Sequence, residues 1–299
     1  MCDSPWSAQA LMRKLSRDTN ALLGDYTQQS LCIDESSNGK AGKNSVGVSR
    51  QHNGNLGKVD NCQTGVYAFL CSGNKVGIID TRLFLPDQWV DDPQRCKKAG
   101  MPKEAIVKKT KIELALDMIR ESIEIGVKFG WVNADGLYGS SYNFCKTIEE
   151  LGKDFVVGVN RDQQVYLQIP KSFLPEFKGL GRKIIRKGFK KTDPVKFSIS
   201  SIALNERTIQ QFAFMQGQRY WEQRALGEGK GELGMADYQV RKYNAWFHHQ
   251  ALVMLAMQFV NKKKYEFKED LPLLSVRDVR LLLITTLKEQ GTQMEKEID

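Results

Sequence analysis

Apolar and polar positions recur with different periods along this chain, and the changes of period predict its elements. Residues 5–28 carry apolar side chains at helical spacing and favour a leading helix. Short apolar runs separated by clusters of Gly, Asn and Ser come next, which is typical of successive antiparallel strands. These predicted strands are residues 31–33, 46–48, 65–70 and 76–79. The first part of the chain therefore predicts a strand meander behind a helix.

The rest of the chain alternates helical and extended patterns. Residues 103–125 and 142–151 show helical spacing, and residues 129–135 and 155–159 have the continuous apolar character of buried strands. Residues 163–214 alternate apolar and polar positions between turn residues, which predicts a β-rich segment. Further helices are predicted at residues 218–230, 246–261 and 277–287. A meander followed by strand, helix and strand indicates a mixed α/β fold.

The composition is that of a globular protein with a basic surplus. Of the 299 residues, 41% are hydrophobic and 26% are charged, which excludes disordered and collagen-like chains. Lys and Arg number 44 against 35 Asp and Glu, a formal charge of +9. Such a balance favours a polyanionic partner, with nucleic acid ahead of an anionic membrane.

Three further patterns bear on the compartment. No apolar run approaches the roughly 18 residues of a membrane-spanning helix. The N-terminal residues lack the basic start and apolar block of a secretory signal. The 6 cysteines form no C-x-x-C pair, which favours free thiols in a reducing compartment. We therefore expect a soluble, cytoplasmic protein with no membrane partner.

Two aspartates occupy matching places at the ends of apolar runs. Asp34 follows Leu-Cys-Ile, and Asp135 ends the run Trp-Val-Asn-Ala-Asp. Sites in α/β proteins assemble at strand ends, where two carboxylates on neighbouring strands would repel each other and need a cation between them. Oxygen ligands of this kind suit Mg²⁺ or Mn²⁺. One such Asp alone could equally be a turn or cap residue, whereas the repeated placement favours a site.

A third segment adds a resemblance to a known family. Residues 218–234 are QRYWEQRALGEGKGELG. Together with Asp34 and Asp135, this segment resembles the DDE transposases of bacterial insertion sequences whose third acidic residue lies in a Y-x2-R-x3-E-x6-K signature. Other stretches that resemble this group are SVGVSRQ at 45–51, GKVDNCQ at 57–63, LFLP at 83–86, ADGLYG at 134–139 and HHQAL at 248–252. The similarity covers nearly the whole chain.

The resemblance implies a fold and an activity. The fold would be an RNase-H-like mixed sheet flanked by helices, with a β-rich insertion before the third acidic motif. Its divisions would be a leading helical segment 1–28, the first part of the catalytic core 29–162, the insertion 163–214, and a helical completion with the C-terminal tail 215–299. The activity would be that of a DNA transposase, an endonuclease and strand transferase that acts at element ends with two Mg²⁺ or Mn²⁺ ions.

The same resemblance implies partners. They would be double-stranded DNA at element ends and at the target, with a homodimer on DNA as one assembly and the bacterial nucleoid as the location. Relatives generally carry an N-terminal DNA-recognition region ahead of the first acidic residue. Because only a short segment precedes Asp34, we expect that region to be missing or minimal here.

The signature is not matched at every position. With three residues between Arg219 and the expected glutamate, the signature places Gln223 at that position, and Lys230 stands at the expected distance beyond it. Gln216 stands where the signature has its tyrosine. An amide offers a metal ion one oxygen and no charge, so metal affinity and rate would fall. A catalytically impaired, transposase-derived DNA-binding protein is therefore the alternative function, and a nuclease-like fold with no DNA role is a second one.

The third acidic residue is left open between Gln223 and its neighbours. Glu222 precedes Gln223, but adjacent residues on a helix point about 100° apart, so Glu222 would serve only if the helix were rotated or bulged. Glu228 is a weaker candidate. The residues expected to hold metal and carry the chemistry are Asp34, Asp135 and Glu222.

Basic residues are expected to contact DNA phosphates. By the resemblance, Arg219 and Lys230 lie next to the metal ions. Further candidates for backbone contacts are Lys40, Lys43, Lys183, Arg186, Lys187 and Arg241. Such contacts would make binding strongly dependent on salt, and a solvated surface is the alternative for each residue. His248 and His249 lack the spacing of a metal motif, so we expect packing or phosphate contact from them.

Overall fold

The computed structural model describes residues 5–159, 198–200, 209–238, 241–271 and 273–286. Its strands are β1 Ser30–Gly39, β2 Ser49–Asn53, β3 Lys58–Ser72, β4 Lys75–Leu83, β5 Trp131–Ala134, β6 Asp154–Gly158 and β7 Ser198–Ser200. Its helices are α1 Ala8–Leu23, α2 Asp87–Val90, α3 Pro93–Lys98, α4 Lys111–Glu124, α5 Gly136–Gly139, α6 Tyr142–Glu150, α7 Ile209–Glu232 and α8 Tyr243–Glu266, and residues 276–286 form α9.

The seven strands within these residues form one mixed sheet. β3 pairs antiparallel with β2 at its beginning, with β1 along most of its length and with β4 along its second half. β5 pairs parallel with β1, β6 pairs parallel with β5, and β7 closes the order antiparallel to β6. The parallel strands are reached through helical connections, as parallel pairing requires. This sheet confirms the predicted RNase-H-like α/β class.

Helices cover both faces of the sheet, and the alternation of side chains along β1 shows how. Leu31 and Ile33 pack into an apolar cluster with α4 and α6. Cys32, between them, packs on the opposite face into a cluster with α1, α7 and α8. Since successive strand residues point to opposite faces, an apolar run as continuous as this one indicates a strand that is buried on both sides.

The ends of two helices bear on the site. α4 begins with a capping box in which the Thr110 hydroxyl accepts from the Glu113 backbone N–H at 3.2 Å and Glu113 accepts from the Thr110 backbone N–H at 2.7 Å. α5 is capped by Asp135, whose carboxylate accepts the Leu137 N–H at 2.9 Å. α5 therefore starts directly after β5, and the first residue of α4, Lys111, donates to Glu35 of β1.

Several predicted boundaries were wrong. Residues 46–48 are not a strand, because Gly47 turns the chain at φ +71° and the Val46 N–H donates to the Arg241 carbonyl at 3.0 Å. The helix predicted over 103–125 begins at Lys111, where the capping box lies, and only a 3₁₀ turn precedes it. The helix predicted over 218–230 begins earlier, at Ile209, and ends at Glu232 as α7. Most of the predicted insertion 163–214 lies outside the described residues, and β7 is the strand described within it.

None of the helices in the described part of the chain is long and apolar enough to cross a membrane.

Candidate active site

The register of two parallel strands brings the two predicted aspartates together. The last paired residues of β1 and β5 are Ile33 and Ala134. Asp135 follows directly and lies just beyond β5. Asp34 follows Ile33 but stays within β1, which continues to Gly39 and pairs Asp34 with Tyr67 of β3, so the strand end predicted at Asp34 was wrong. Both carboxylates therefore lie at the edge where the parallel pairing of β1 and β5 ends. Equal spacing along parallel strands keeps them side by side.

A third acidic residue, Glu35, completes a cluster at this edge. One carboxylate oxygen from each of Asp34, Glu35 and Asp135 lies within 4.8 Å of the other two. All three side chains are half-buried. Asp34 also accepts the Glu35 backbone N–H at 2.8 Å, as Asp135 does that of Leu137, so the two aspartates are held in place by their own backbone.

The cluster concentrates negative charge in a partly buried place. Burial raises the pKa of Asp34 to about 6, and the charge of Asp135 adds to the rise. Burial also raises the pKa of Asp135, with the charge of Glu35 as the next cause. Carboxylates that disfavour each other's ionisation in this way are stabilised by a shared cation.

α7 carries a fourth carboxylate to the other side of Asp34. The helix crosses one face of the sheet from β6 and β5 towards β1, β3 and β4. Glu222 on it is fully buried, at 0% exposure, and neither of its carboxylate oxygens has a hydrogen-bond partner among the described residues. Burial raises the pKa of Glu222 well above its usual range, and the neighbouring Cys32 and Asp34 add to the rise.

The neighbouring glutamine lies elsewhere. Gln223, at the signature position of the third acidic residue, has its side chain exposed to solvent. α7 is a continuous α-helix, so of the two alternatives, a rotated or a bulged helix, the bulge is not what turns Glu222 towards the sheet. Glu222 faces the sheet because of the register of the helix: Met215, Gln218 and Ala225 are buried along with Glu222, at the 3 and 4 residue spacing of one helical face.

Arg219 lies one turn before Glu222 and reaches the same edge. Its charge counteracts the raised pKa of both Asp34 and Asp135. Its Nη1 would lie 3.4 Å from a Cβ at Gly158, the last residue of β6, and its buried Nε has no partner among the described residues. One guanidinium therefore stands beside the acidic cluster with donor capacity to spare.

A glycine fixes the helix that Asp135 caps. A Cβ at Gly139 would lie 1.8 Å from the Gly158 carbonyl oxygen, a distance that no side chain can occupy. Only glycine therefore allows α5 to pack directly against β6, which explains the last residue of the ADGLYG stretch.

Comparison of the amino-acid sequence with known proteins identifies the family of this chain. A model of the DDE superfamily endonucleases matches residues 2–220. The chain belongs to this family. It is also similar to a probable transposase for insertion sequence element IS701 of Microchaete diplosiphon, with 29% identity over 241 residues, which are 71% of this chain and 60% of that protein. The chain thus spans about 60% of the length of that relative. The family match contains Asp34, Asp135 and Arg219 and ends before Glu222.

Glu35 is the residue of the acidic cluster that the sequence did not predict. Adjacent strand residues point to opposite faces, so Glu35 was not expected beside Asp34. Because β5 ends at Ala134, no strand separates Glu35 from Asp135 beyond that point. Its Oε1 accepts from Lys111 Nζ at 3.0 Å and its Oε2 from the Tyr138 hydroxyl at 3.1 Å. No pattern in the sequence pointed to these partners.

The predicted phosphate contacts fall in several places. Lys230 donates to Asn55 Oδ1 at 3.0 Å, and burial lowers its pKa while Asp34 counteracts the fall. Lys40 donates to the Tyr238 carbonyl and lies over the Tyr238 ring, 4.8 Å from its centroid. The side chains of Lys43 and Arg241 are exposed. Outside the described residues lie Lys183, Arg186, Lys187 and the side chain of Gln216.

Lys43 belongs to a surface groove of about 540 Å³ between the loop after β1 and helix α3. Four of its lining residues are basic, Lys43, Arg50, Arg95 and Lys98, and Asp92 is its acidic residue. Arg95 is fixed there, since its Nη2 donates to the Lys43 carbonyl at 2.6 Å and its guanidinium stacks on Trp89. We call these four basic residues the basic groove.

The two histidines lie apart from the acidic cluster. The His248 ring stacks on Trp6 at 4.2 Å and its Nε2 lies 2.9 Å from the Trp6 carbonyl oxygen. His249 Nε2 lies 3.0 Å from the Gly234 carbonyl oxygen. Both therefore pack against the backbone, as expected from the lack of a metal motif.

Proposed function

We propose that this chain is the catalytic domain of a DNA transposase, which cleaves phosphodiester bonds and joins strands at the ends of a mobile element. Asp34, Asp135 and Glu222 are its metal ligands. The observation that carries the proposal is Glu222, a fully buried carboxylate whose oxygens have no hydrogen-bond partner in the part of the chain that the structure describes. Leaving such a group uncompensated costs several kcal/mol, and a cation bound between Glu222 and Asp34 would offset that cost.

The residues fit divalent cations of the hard class. Every donor at this edge is a carboxylate oxygen, which suits Mg²⁺ or Mn²⁺ rather than zinc or copper. Two such ions, when bound, supply activation of the attacking oxygen and stabilisation of the leaving oxygen in an in-line displacement. The raised pKa values of Asp34 and Asp135 support the same conclusion, because burial first and a neighbouring carboxylate second disfavour the ionised form of each, and a bound cation would favour it.

The chain's own basic residues bind and orient the DNA. Arg219 stands beside Asp34 and Asp135 and donates to oxygens of the scissile phosphate, holding it against the carboxylates. Lys230, on the same helix, contacts a neighbouring phosphate. The basic groove, Lys40 and Arg241 hold the duplex farther out, and Lys183, Arg186 and Lys187 are proposed to add contacts of the same kind.

Double-stranded DNA would therefore be the substrate, and a homodimer on DNA would bring two such sites to two element ends. A protein bound to DNA in this way would be found at the nucleoid of a bacterial cell.

A nicking assay tests the proposal. The probe is supercoiled plasmid carrying the DNA that flanks the gene for this chain, incubated with Mg²⁺ or Mn²⁺. We expect nicking that EDTA abolishes, and a loss of about 1000-fold in Asp34→Asn, Asp135→Asn and Glu222→Gln, since each removes a metal ligand worth several kcal/mol. Gln223→Ala is the matched control and stays within about twofold, because that side chain is in solvent.

Two other outcomes would replace the proposal. Salt-sensitive DNA binding with no nicking at any metal concentration would establish the impaired DNA-binding protein. No binding even at low salt would establish a nuclease-like fold without a DNA role. The exposure of Gln223 favours the enzyme over the impaired form, because a glutamine outside the site does not weaken metal binding. We accordingly expect Gln223→Glu to leave the nicking rate unchanged.

A further inference from the structure

The three carboxylates at the strand edge have the spacing of ligands to one ion. Oxygens bound at 2.0 to 2.6 Å from a common cation lie no more than about 4 to 5 Å apart. The selected oxygens of Asp34, Glu35 and Asp135 all lie within 4.8 Å of one another. Glu222 is not part of this group, and it approaches Asp34 from the face of the sheet that α7 covers.

Glu222 is an independent sign that this edge holds cations. It is fully buried, its two oxygens are unpartnered among the described residues, and Asp34 is among the charges that act on it. Asp34 therefore lies between two acidic neighbourhoods, Glu222 on the α7 side and Glu35 with Asp135 on the α4 side. An ion needs several oxygen ligands, and Asp34 with Asp135 alone would supply two protein side chains.

Glu35 is held ready for such a role. Lys111, the first residue of α4, donates to one oxygen, and the Tyr138 hydroxyl in α5 donates to the other. Each carboxylate oxygen has two lone pairs, so one donor on each leaves capacity for an ion. A side chain already fixed from two helices loses little conformational entropy when it binds.

We propose that Glu35 is a metal ligand, which with Asp34 and Asp135 forms the binding place of one divalent cation where the parallel pairing of β1 and β5 ends. This rests on the proposed metal-dependent function and adds a fourth carboxylate to its site. Asp34 contributes to both binding places, and Glu222 contributes to the second.

Mn²⁺ titration of the full chain, followed by electron paramagnetic resonance of the free ion, tests the assignment without reference to activity. We expect Glu35→Gln to weaken one binding step by about tenfold or more. Losing only a hydrogen-bonded partner of a ligand typically costs about 10- to 100-fold in metal affinity, and losing a ligand should cost at least as much. Lys111→Met is the matched control. It removes the cation paired with Glu35 and should leave Mn²⁺ affinity equal or higher, because a positive charge next to an ion opposes its binding.

The outcomes separate a ligand from a positioning residue. If Glu35 only tethered α4 and α5, Lys111→Met and Glu35→Gln would weaken Mn²⁺ binding alike, and the proposal would be overturned. Unchanged binding in Glu35→Gln would overturn it too. Should Glu35→Gln not fold, Glu35→Asp keeps the charge, shortens the side chain and is expected to weaken the same step. Unchanged binding in that variant overturns the proposal.

The inference and the proposed function fail differently. Wild-type protein that binds no Mn²⁺ would remove both. Wild-type protein that binds Mn²⁺ and loses it in Asp34→Asn, with Glu35→Gln indistinguishable from wild type, would remove only the role of Glu35.

Discussion

At the scale of single residues, Glu222 in its proposed role as a metal ligand trades folding stability for cation binding. Its carboxylate is buried without a hydrogen-bond partner among the described residues, and such a group destabilises the folded chain in the absence of a cation. Gln223, one residue on, is solvated and affects neither. Substitutions at Glu222 and at Gln223 should therefore change the free energy of unfolding differently, even when no DNA or metal is present.

Glu222→Gln should stabilise the metal-free protein while removing its activity. Burial raises the pKa of Glu222, so the folded state holds the proton more tightly than the unfolded chain. Wild-type stability therefore falls as pH rises from the usual glutamate pKa towards the folded-state pKa. The variant lacks this fall, and in EDTA near pH 8 it should be about 1–3 kcal/mol more stable.

Thermal melts at about pH 5.5 and about pH 8 check the sign. The advantage of Glu222→Gln over wild type should be larger at the higher pH, whereas Gln223→Ala should match wild type within about 0.5 kcal/mol at both. A variant less stable than wild type, or an advantage that does not change with pH, would contradict the burial of an unpaired carboxylate.

At the scale of elements, two glycines in the helices near the site differ in whether packing requires them. In α5, Gly139 allows contact with the backbone of β6 and so fixes Asp135. In α7, Gly227 is exposed, and a Cβ there would have no heavy atom within 4 Å. The first glycine is required by packing, whereas the second costs helix stability and gains no contact.

The two alanine variants should therefore shift stability in opposite directions. Gly227→Ala should raise the free energy of unfolding by about 0.5–1 kcal/mol through helix propensity. Gly139→Ala should lower it by more than about 2 kcal/mol, because α5 must move away from β6. Urea denaturation measures both. Mn²⁺ titration should show weaker binding in Gly139→Ala alone, and a Gly139→Ala protein as stable as wild type would refute the close approach.

At the scale of the whole molecule, the two sides of the sheet offer DNA different surfaces. The basic groove lies on the side of α7 and α8, where Glu222 approaches Asp34. α4 and α6 cover the other side. A duplex that reaches Arg219 from the α7 side would pass the groove, whereas a duplex on the other side would not.

Salt dependence of DNA binding tests this path. The triple variant Lys43→Glu, Arg50→Glu, Lys98→Glu should bind duplex more weakly. Its log K should also fall less steeply with log salt, by about one unit of slope for each phosphate contact removed. The control makes the same change of net charge at Arg120, Lys128 and Lys146, which lie on or beside α4 and α6. Equal slopes in the two triple variants would mean that binding follows net charge and not the groove.

Local patterns in the sequence were enough to locate most strands, the crossover helices and the two aspartates, but not β2 or the full lengths of β1 and β3. Apolar runs bounded by turn residues marked β1, β3, β4, β5 and β6, and the matching positions of Asp34 and Asp135 indicated a shared edge. These succeed because burial on both faces and strand termination act through residues near in sequence. The predicted boundaries of elements were wrong where a helix cap or a glycine with positive φ sets the boundary, as at Thr110 and Gly47.

The choice between Glu222 and Gln223 shows what spacing alone leaves open. A motif count places Gln223 at the acidic position, but the buried stripe of α7 selects Glu222. That stripe is itself a sequence pattern, and only its contact with β1 and β3 shows that it faces the acidic edge. Glu35 is a harder case, since its partners Lys111 and Tyr138 are distant in the chain.

The amino-acid sequence by itself determined the α/β class, through periodicity, and the resemblance to DDE transposases, through motifs that include Asp34 and Asp135. The tertiary structure alone decided which residues surround them: the parallel register that sets Asp34 beside Asp135, the rotation of α7 that buries Glu222, and the end of β5 that lets Glu35 approach. Each of these depends on how elements that are far apart in sequence pack together, and local sequence patterns do not determine that packing.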